Sequence, residues 1–515
     1  MQAPQPSISG TRDYAGDDAV ALQTARDAIE ATLRRYAYAP INPPILESPL
    51  PFLNRSGEDI RRHMYIFPDP GGSEVCLRPE LTIPVCRAYL RQLQAAGNAA
   101  SEREARLSYF GPAFTYESAN DRRYRQFYQA GAEFIGAQAR EPADAEILAA
   151  ALDALEAAGL KETRVEVGDV DIRTAFIDQL PVSERSKTRI RRIALRNPQE
   201  LRSGDILGQP ETAASESPNG FGELASMLAA VEPGKAELLI REVFALADVR
   251  HVGGRTPEEI VERLISRTAQ QAEPVSAELM QGVLDLLNIR AKPEAAFKQI
   301  KEHFRKFRIG SIDRVLERCE TRLRYIAAYR QQPVELQFNV GLRRGLEYYT
   351  GFLFEIYAKN FAELGHVCGG GRYDNLLDGL GASESIPAVG FGIGLDRLLP
   401  ALHKAHATAI GTVAAPQALI VAVGGNCEEE RIAASVALRR AGCSVELDVS
   451  GRDERSALNY AAKRKIEHVI FIDADNSKKA QARVKRLGSR AVQTMPIAAL
   501  AAYLRAAAGG TGTAP

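Results

Sequence analysis

Apolar residues at helical spacing open the chain. Ala21, Ala25, Ile29, Leu33 and Tyr36 recur through residues 18–38 and predict an amphipathic helix, with Asp17 and Asp18 placed to cap its start. The proline-rich run Tyr38 to Glu47 follows and reads as an extended segment at a sheet edge or an interface, because proline is excluded from central strands. Residues 73–93 predict a short strand, a turn at Arg78-Pro79-Glu80, and a helix through Val85, Tyr89 and Leu93. Residues 105–137 read as a strand, a basic loop and a second strand from Phe127 to Ile135. A helix over 143–158 and a strand at Val165–Val167 close this section. From about 176 to 333 the periodicity is mostly helical, with basic stretches at Arg185–Arg196 and Lys298–Arg308. A polar run at Thr212–Gly220 interrupts it and is expected to be flexible. Strand-like sequence resumes at Val334–Val340 and continues to 398.

After a linker at 404–416 the pattern alternates. Ala418–Ala422, Ser444–Leu447 and Val469–Ile472 read as strands, and Glu428–Ala441, Glu454–Lys465 and 494–506 as helices. Such alternation predicts a small three-layer α/β domain. The last residues, GGTGTAP, are expected to be disordered.

With 515 residues the chain has room for two to four domains. Basic and acidic residues balance at 65 each, so contact with RNA would need local basic patches. No run reaches the roughly 20 apolar residues of a membrane helix, and the N-terminus carries no secretion signal. Both point to the cytoplasm and away from a membrane. The six cysteines form no CxxC pair and the seven histidines no HxH or HExxH. This argues against structural zinc and a disulfide framework, so we expect free thiols and no metal.

The candidate chemistry lies in four blocks. The first is Tyr109-Phe110-Gly111-Pro112-Ala113-Phe114-Thr115-Tyr116-Glu117, leading through Asp121-Arg122-Arg123-Tyr124-Arg125-Gln126-Phe127-Tyr128 to Gln129. It resembles motif 2 of class II aminoacyl-tRNA synthetases, most closely the histidyl branch. The usual Phe-Arg-x-Glu has become Phe-Thr-x-Glu. In that family the arginine grips the α-phosphate of ATP and the substrate carboxylate, and Thr115 cannot supply a fixed planar cation. The resemblance places Glu117 at the adenine amino group, Phe127 stacked on adenine, and Arg123 and Arg125 near the phosphates. Gln129 and Glu133 fall at its imidazole-side contacts. Arg122 or Arg123 could replace the missing arginine from the loop.

The second block is Cys76-Leu77-Arg78-Pro79-Glu80-Leu81-Thr82, where the family's Glu and Thr hold the amino group of histidine. A carboxylate beside a hydroxyl suits an ammonium. The third is Leu342-Arg343-Arg344-Gly345-Leu346-Glu347-Tyr348-Tyr349-Thr350-Gly351, continuing after a turn into Cys368-Gly369-Gly370-Gly371-Arg372-Tyr373-Asp374. It resembles the histidine-specific motifs, with Arg344 on the reacting carboxylate and Tyr348 and Tyr349 lining the imidazole pocket. The fourth, Pro387 to Leu398, is similar to motif 3, with glycines that let a nucleotide approach and Arg397 at the ATP phosphates. It lacks the βαβ unit and downstream acid of a dinucleotide site, and CGGGRYD has no P-loop ending.

The resemblance implies an α+β fold: a class II antiparallel-sheet core in two parts (1–175 and 334–403), divided by a mostly helical insertion (176–333). A linker (404–416) and an anticodon-binding-like α/β domain with a disordered tail (417–515) follow. It also implies a homodimer, with Pro40–Glu47 matching motif 1. The function it implies depends on Thr115. Catalytically silent chains of this kind are known as the regulatory subunit of ATP phosphoribosyltransferase, in histidine biosynthesis. The run from Arg55 to Cys86 resembles that subunit, and Leu81 stands where working histidyl enzymes have glycine. The first expectation is therefore a non-catalytic histidine sensor, without cofactor, partnered by the catalytic short-form phosphoribosyltransferase chain. The C-terminal domain and the long insertion depart from that pattern. They keep open an active histidine–tRNA ligase using ATP, Mg and tRNA, or an RNA- or protein-binding paralogue.

Overall fold

The computed structural model describes residues 8–55, 57–97, 103–116, 124–196, 275–330, 334–344, 348–359, 361–405, 411–424, 427–473 and 481–508. These form two units, one ending at Gly411 and one beginning at Thr412. Expectations for Thr212–Gly220 and the GGTGTAP tail, and for Glu117 and Arg123, lie outside the described residues.

The first helix, Asp17–Arg35, buries Ala21, Ala25, Ile29 and Leu33 as the spacing predicts. Its cap differs from expectation: the N-cap is Gly16 at φ +58°, and no side chain caps the helix. Asp17 and Asp18 lie in its first turn, where they favour the positive end of the helix dipole. Tyr36 falls just beyond the helix and donates from its hydroxyl to Asp153 Oδ2 at 2.7 Å.

The centre of the first unit is a nine-stranded sheet. In chain order its strands, with those of a small second sheet, are β1 (Ala39–Pro40), β2 (Leu46–Glu47), β3 (Ile66–Pro68), β4 (Glu74–Leu77), β5 (Ala105–Phe114), β6 (Gln126–Ile135), β7 (Thr163–Asp169), β8 (Arg290–Ala291), β9 (Glu335–Asn339), β10 (Phe352–Ala358), β11 (His366–Arg372) and β12 (Ala388–Gly394). The large sheet runs β1-β5-β6-β12-β11-β10-β7-β9-β8, and β2-β4-β3 form the small one. From β5 to β7 every neighbour is antiparallel, and β1·β5 and β7·β9 are parallel. Proline-bearing β1 is indeed an edge strand, while Leu46–Glu47 pairs in the other sheet.

Helices cover the sheet from residues far apart in the chain. Arg140–Ala157 is buried nearly all round, from Ala143 to Leu155. The insertion contributes Glu184–Arg196, Ala277–Leu287, Pro293–Lys306 and Asp313–Tyr329, whose Ile190, Val283, Ile300 and Ile326 join the main core. Its described part thus belongs to the core, and it also supplies the edge strand β8.

Buried charge ties these layers. Asp144, fully buried, accepts from Arg322 Nε at 2.8 Å and from Arg372 Nε at 2.9 Å. Arg322 also donates to Asp169 at 3.0 Å, and Arg372 to Asp374 at 2.9 Å. Burial pushes the Asp144 carboxyl up, while the two guanidinium groups oppose the shift.

The second unit is a five-stranded sheet ordered β14-β13-β15-β16-β17, from β13 (Ala418–Ala422), β14 (Val445–Leu447), β15 (His468–Ile472), β16 (Gln481–Arg486) and β17 (Val492–Pro496). Helices Glu428–Arg440, Glu454–Lys463 and Leu500–Ala508 join cores on its two faces, giving the expected layering. The antiparallel pair β16–β17 was not expected: residues 494–496 are strand, and the last helix starts at Leu500.

Candidate functional site

Side chains on β6 alternate between faces. Ala130, Ala132 and Phe134 enter the main core, so Phe127, Gln129 and Glu133 share the opposite face. Above them comes the turn before helix Thr82–Ala95. That turn is held by Arg78, whose guanidinium donates to the carbonyls of Pro112 at 2.8 Å and Pro43 at 2.7 Å. Gly111 leaves its place: a Cβ there would meet Arg78 Nη2 at 2.3 Å.

Glu80 is thereby fixed over the sheet. It is 7% exposed and accepts from the backbone N–H groups of Thr82 at 2.5 Å and Ile83 at 2.8 Å. Burial pushes its carboxyl up to about 7, against the pull of those two bonds. Glu133, fully buried, accepts from Tyr109 at 3.2 Å and from Tyr373, and burial pushes it up to about 8. Thr82 faces both carboxylates. Tyr348, Tyr349 and Tyr373 form a ring cluster beside them, with centroids 4.8, 5.7 and 6.5 Å apart.

Arg344 is the strongest polar anomaly among the described residues. Its Nε and Nη1 are buried and have no hydrogen-bond partner, and Glu355 stands 3.9 Å from Nη1. Burial opposes its charge, yet the nearby Tyr349 and Glu355 leave its pKa raised. The cation is thus paired only by a long ion contact to Glu355, and two of its donors are left without a hydrogen bond.

The glycine blocks explain themselves here. CGGGR is strand β11, and a Cβ on Gly369 would lie 1.3 Å from Arg344 Nη1. A Cβ on Gly390 would lie 1.5 Å from Glu133 Oε2, and one on Gly392 2.2 Å from Gln129 Nε2. In β12, Gly390 and Gly392 therefore make room for side chains of the adjacent strand, in addition to any ligand.

Glu80, Gln129, Arg344, Phe127, Arg397 and Thr115 line one cavity of about 270 Å³, with Tyr124, His366 and Asp396. Gln129 also accepts from Leu81 N–H at 3.1 Å. Arg397 donates to the His366 carbonyl at 2.9 Å. Thr82, Glu133, Tyr348 and Tyr349 are not among the lining residues. Arg125 does not line it either: its guanidinium lies over Tyr116, 4.7 Å from the ring centroid. Thr115 carries no charge and turns its hydroxyl to the His63 carbonyl at 3.4 Å. The sequence reading missed Arg78, Tyr109, Tyr373 and Glu355. All four support a pocket residue, and Arg78, Tyr109 and Tyr373, inside quoted motifs, carried a signal.

The histidyl-tRNA synthetase model matches residues 10–213 and 254–398. The chain belongs to the histidyl-tRNA synthetase family. A second match, to an anticodon binding domain, covers residues 417–507. Curated relatives are named histidine–tRNA ligase. That of Methanocaldococcus jannaschii is 30% identical over 92% of this chain and 94% of its own. That of Pyrococcus furiosus is 26% identical over 94% of each. Among solved structures, the histidyl-tRNA synthetase of Nostoc sp. PCC 7120 has a TM-score of 0.64 at 20% identity, covering 98% of this chain and 100% of the other. A protein of Bacillus halodurans C described as an ATP phosphoribosyltransferase regulatory subunit/histidyl-tRNA synthetase has 0.62 at 20%, covering 92% and 99%. The structural likenesses establish the shared fold. No described helix is long and apolar enough to cross a membrane.

Proposed function

We propose that this family member binds histidine without activating it, and acts as a histidine-sensing regulatory subunit of ATP phosphoribosyltransferase. The observation that carries the reading is the pairing of Thr115 with Arg344. The cavity presents Glu80 for an ammonium, Arg344, with two donors that make no hydrogen bond, for a carboxylate, and Gln129 among the same lining side chains. The motif 2 position presents only a hydroxyl bound to backbone. Removing one preorganised donor at developing charge costs about 3–4 kcal/mol, roughly 100- to 1,000-fold in rate. Loss of a bidentate cation that also aligns the carboxylate costs more. A pocket that binds without turnover reports concentration, provided that histidine binds two states of the complex unequally. Ile45, Leu46 and Leu50, in and around β2, are large apolar side chains left exposed, which supports a homodimer through this segment.

A second reading is an active histidine–tRNA ligase with an altered motif 2. Favouring it, the ligase relatives align over more than nine-tenths of the chain, and the C-terminal unit matches an anticodon binding domain. Histidine-dependent ATP–pyrophosphate exchange separates the two. The regulatory reading expects exchange at least about 100-fold below a working synthetase, with Thr115→Arg raising it. Exchange at a working rate in the unaltered protein refutes it.

A further inference from the structure

Outside the motifs, the segment before the first helix lies against the motif 2 strands. Arg125 N–H donates to the Gly10 carbonyl at 2.6 Å, while Arg125 O accepts from Thr115 N–H at 2.9 Å, so Gly10, Arg125 and Thr115 stand side by side. Only glycine fits at position 10: its φ is +82°, and a Cβ would sit 2.8 Å from Arg125 Cγ. From this anchor the chain runs without regular structure to Gly16, and Arg12 and Tyr14 lie against each other. The Arg12 guanidinium lies 4.0 Å from the Tyr14 ring centroid and 5.4 Å from that of Tyr124. Tyr124 is a cavity wall, and so is Asp396, whose charge reaches the Tyr14 hydroxyl.

Two donors in this arrangement are buried without a hydrogen-bond partner: Arg12 Nε and the Tyr14 hydroxyl. The rest of the guanidinium is only loosely held, with Tyr124 Oη at 3.5 Å and Asp18, half exposed, at 3.5 Å. Buried donors left unpaired two residues apart, beside a cavity wall, mark the place of an absent acceptor. Since one of them is a cation, the acceptor that suits both is an anionic oxygen.

The geometry points to Arg12 and Tyr14 as a phosphate-binding pair at the rim of this cavity, supplied by the N-terminal segment where position 115 supplies none. The pair holds a phosphate-bearing ligand and does not depend on the histidine reading. Arg12 acts here as a binding residue: nothing places it where it could align a reacting carboxylate.

Calorimetry on the full chain tests this with ATP, inorganic pyrophosphate and adenosine as probes, and with histidine alongside. The unaltered protein is expected to bind ATP and pyrophosphate more tightly than adenosine. Arg12→Gln is expected to weaken ATP and pyrophosphate at least tenfold, Tyr14→Phe about threefold, and Arg12→Lys less than Arg12→Gln. Adenosine and histidine affinities should change less than twofold. If Arg12→Gln does not fold, Tyr14→Phe, which removes a single oxygen, decides alone. ATP and pyrophosphate binding unchanged by Tyr14→Phe and by any folded Arg12 variant overturns the proposal. So does ATP binding no tighter than adenosine in the unaltered protein. Failure to bind histidine with the ATP losses intact would instead remove the sensor reading and leave this one standing.

Discussion

Histidine binding should release protons, and Glu80 sets how many. In the empty protein its carboxyl is pushed up to about 7 from an ordinary 4.5, burial being the larger influence. Between those values the folded chain holds a proton that the unfolded chain has lost. The site therefore destabilises the empty protein as pH rises through that window. A histidine ammonium reverses the preference, because it favours the ionised carboxylate. Binding then requires deprotonation, and affinity should fall about tenfold, or about 1.4 kcal/mol, for each pH unit below 7 until histidine's own imidazole titrates. Above pH 8 the dependence on Glu80 vanishes. Titration calorimetry in two buffers of different ionisation enthalpy reads the proton count directly. Near pH 6.5 the Glu80 contribution should be about 0.8 proton released per histidine. Glu80→Gln should flatten the profile and weaken binding at pH 8 by about 1.5–3 kcal/mol, the range for a hydrogen bond to a charged group. Affinity that stays constant from pH 6 to 8 in the unaltered protein refutes the reasoning.

Other outcomes follow from the same geometry. Gly369→Ala places a methyl group 1.3 Å from Arg344 Nη1, and should abolish histidine binding by calorimetry while circular dichroism stays native. Leu46→Lys puts charge on an exposed apolar residue of the segment proposed to form the dimer interface, and should convert the proposed homodimer to monomer by light scattering. Asp144→Asn leaves Arg322 and Arg372 short of their shared buried anion, and should cost about 3–5 kcal/mol in denaturant unfolding.

Local pattern made much of this architecture readable. The first helix carries apolar residues at the helical period, while β5, β6 and β13 stand out as apolar-rich runs of strand length. The β16–β17 hairpin was lost for a different reason. β16 does alternate, with Ala482 and Val484 inward, but the helical signal of 494–506 was extended back over a mostly exposed edge strand. In the site, the quoted motifs named residues without their partners. Glu133 depends on Tyr373, 240 positions later, and Asp144 on Arg372, 228 positions later. No periodicity encodes such pairings. The motif 3 glycines show the same limit: the sequence explains them by a ligand, and only the strand register shows Glu133 and Gln129 filling the space.

The Asp144 cluster also imposes an order in time. Ribosomes deliver residue 144 long before residues 322 and 372, while the helix that carries it is apolar nearly all round. Until both arginines emerge, burying that helix requires an unpaired carboxylate or a protonated Asp144. The second of its two buried counter-charges is thus delivered only near the end of the first unit. A chain truncated before Arg372 therefore lacks one of the two guanidinium groups that hold the buried Asp144 carboxylate.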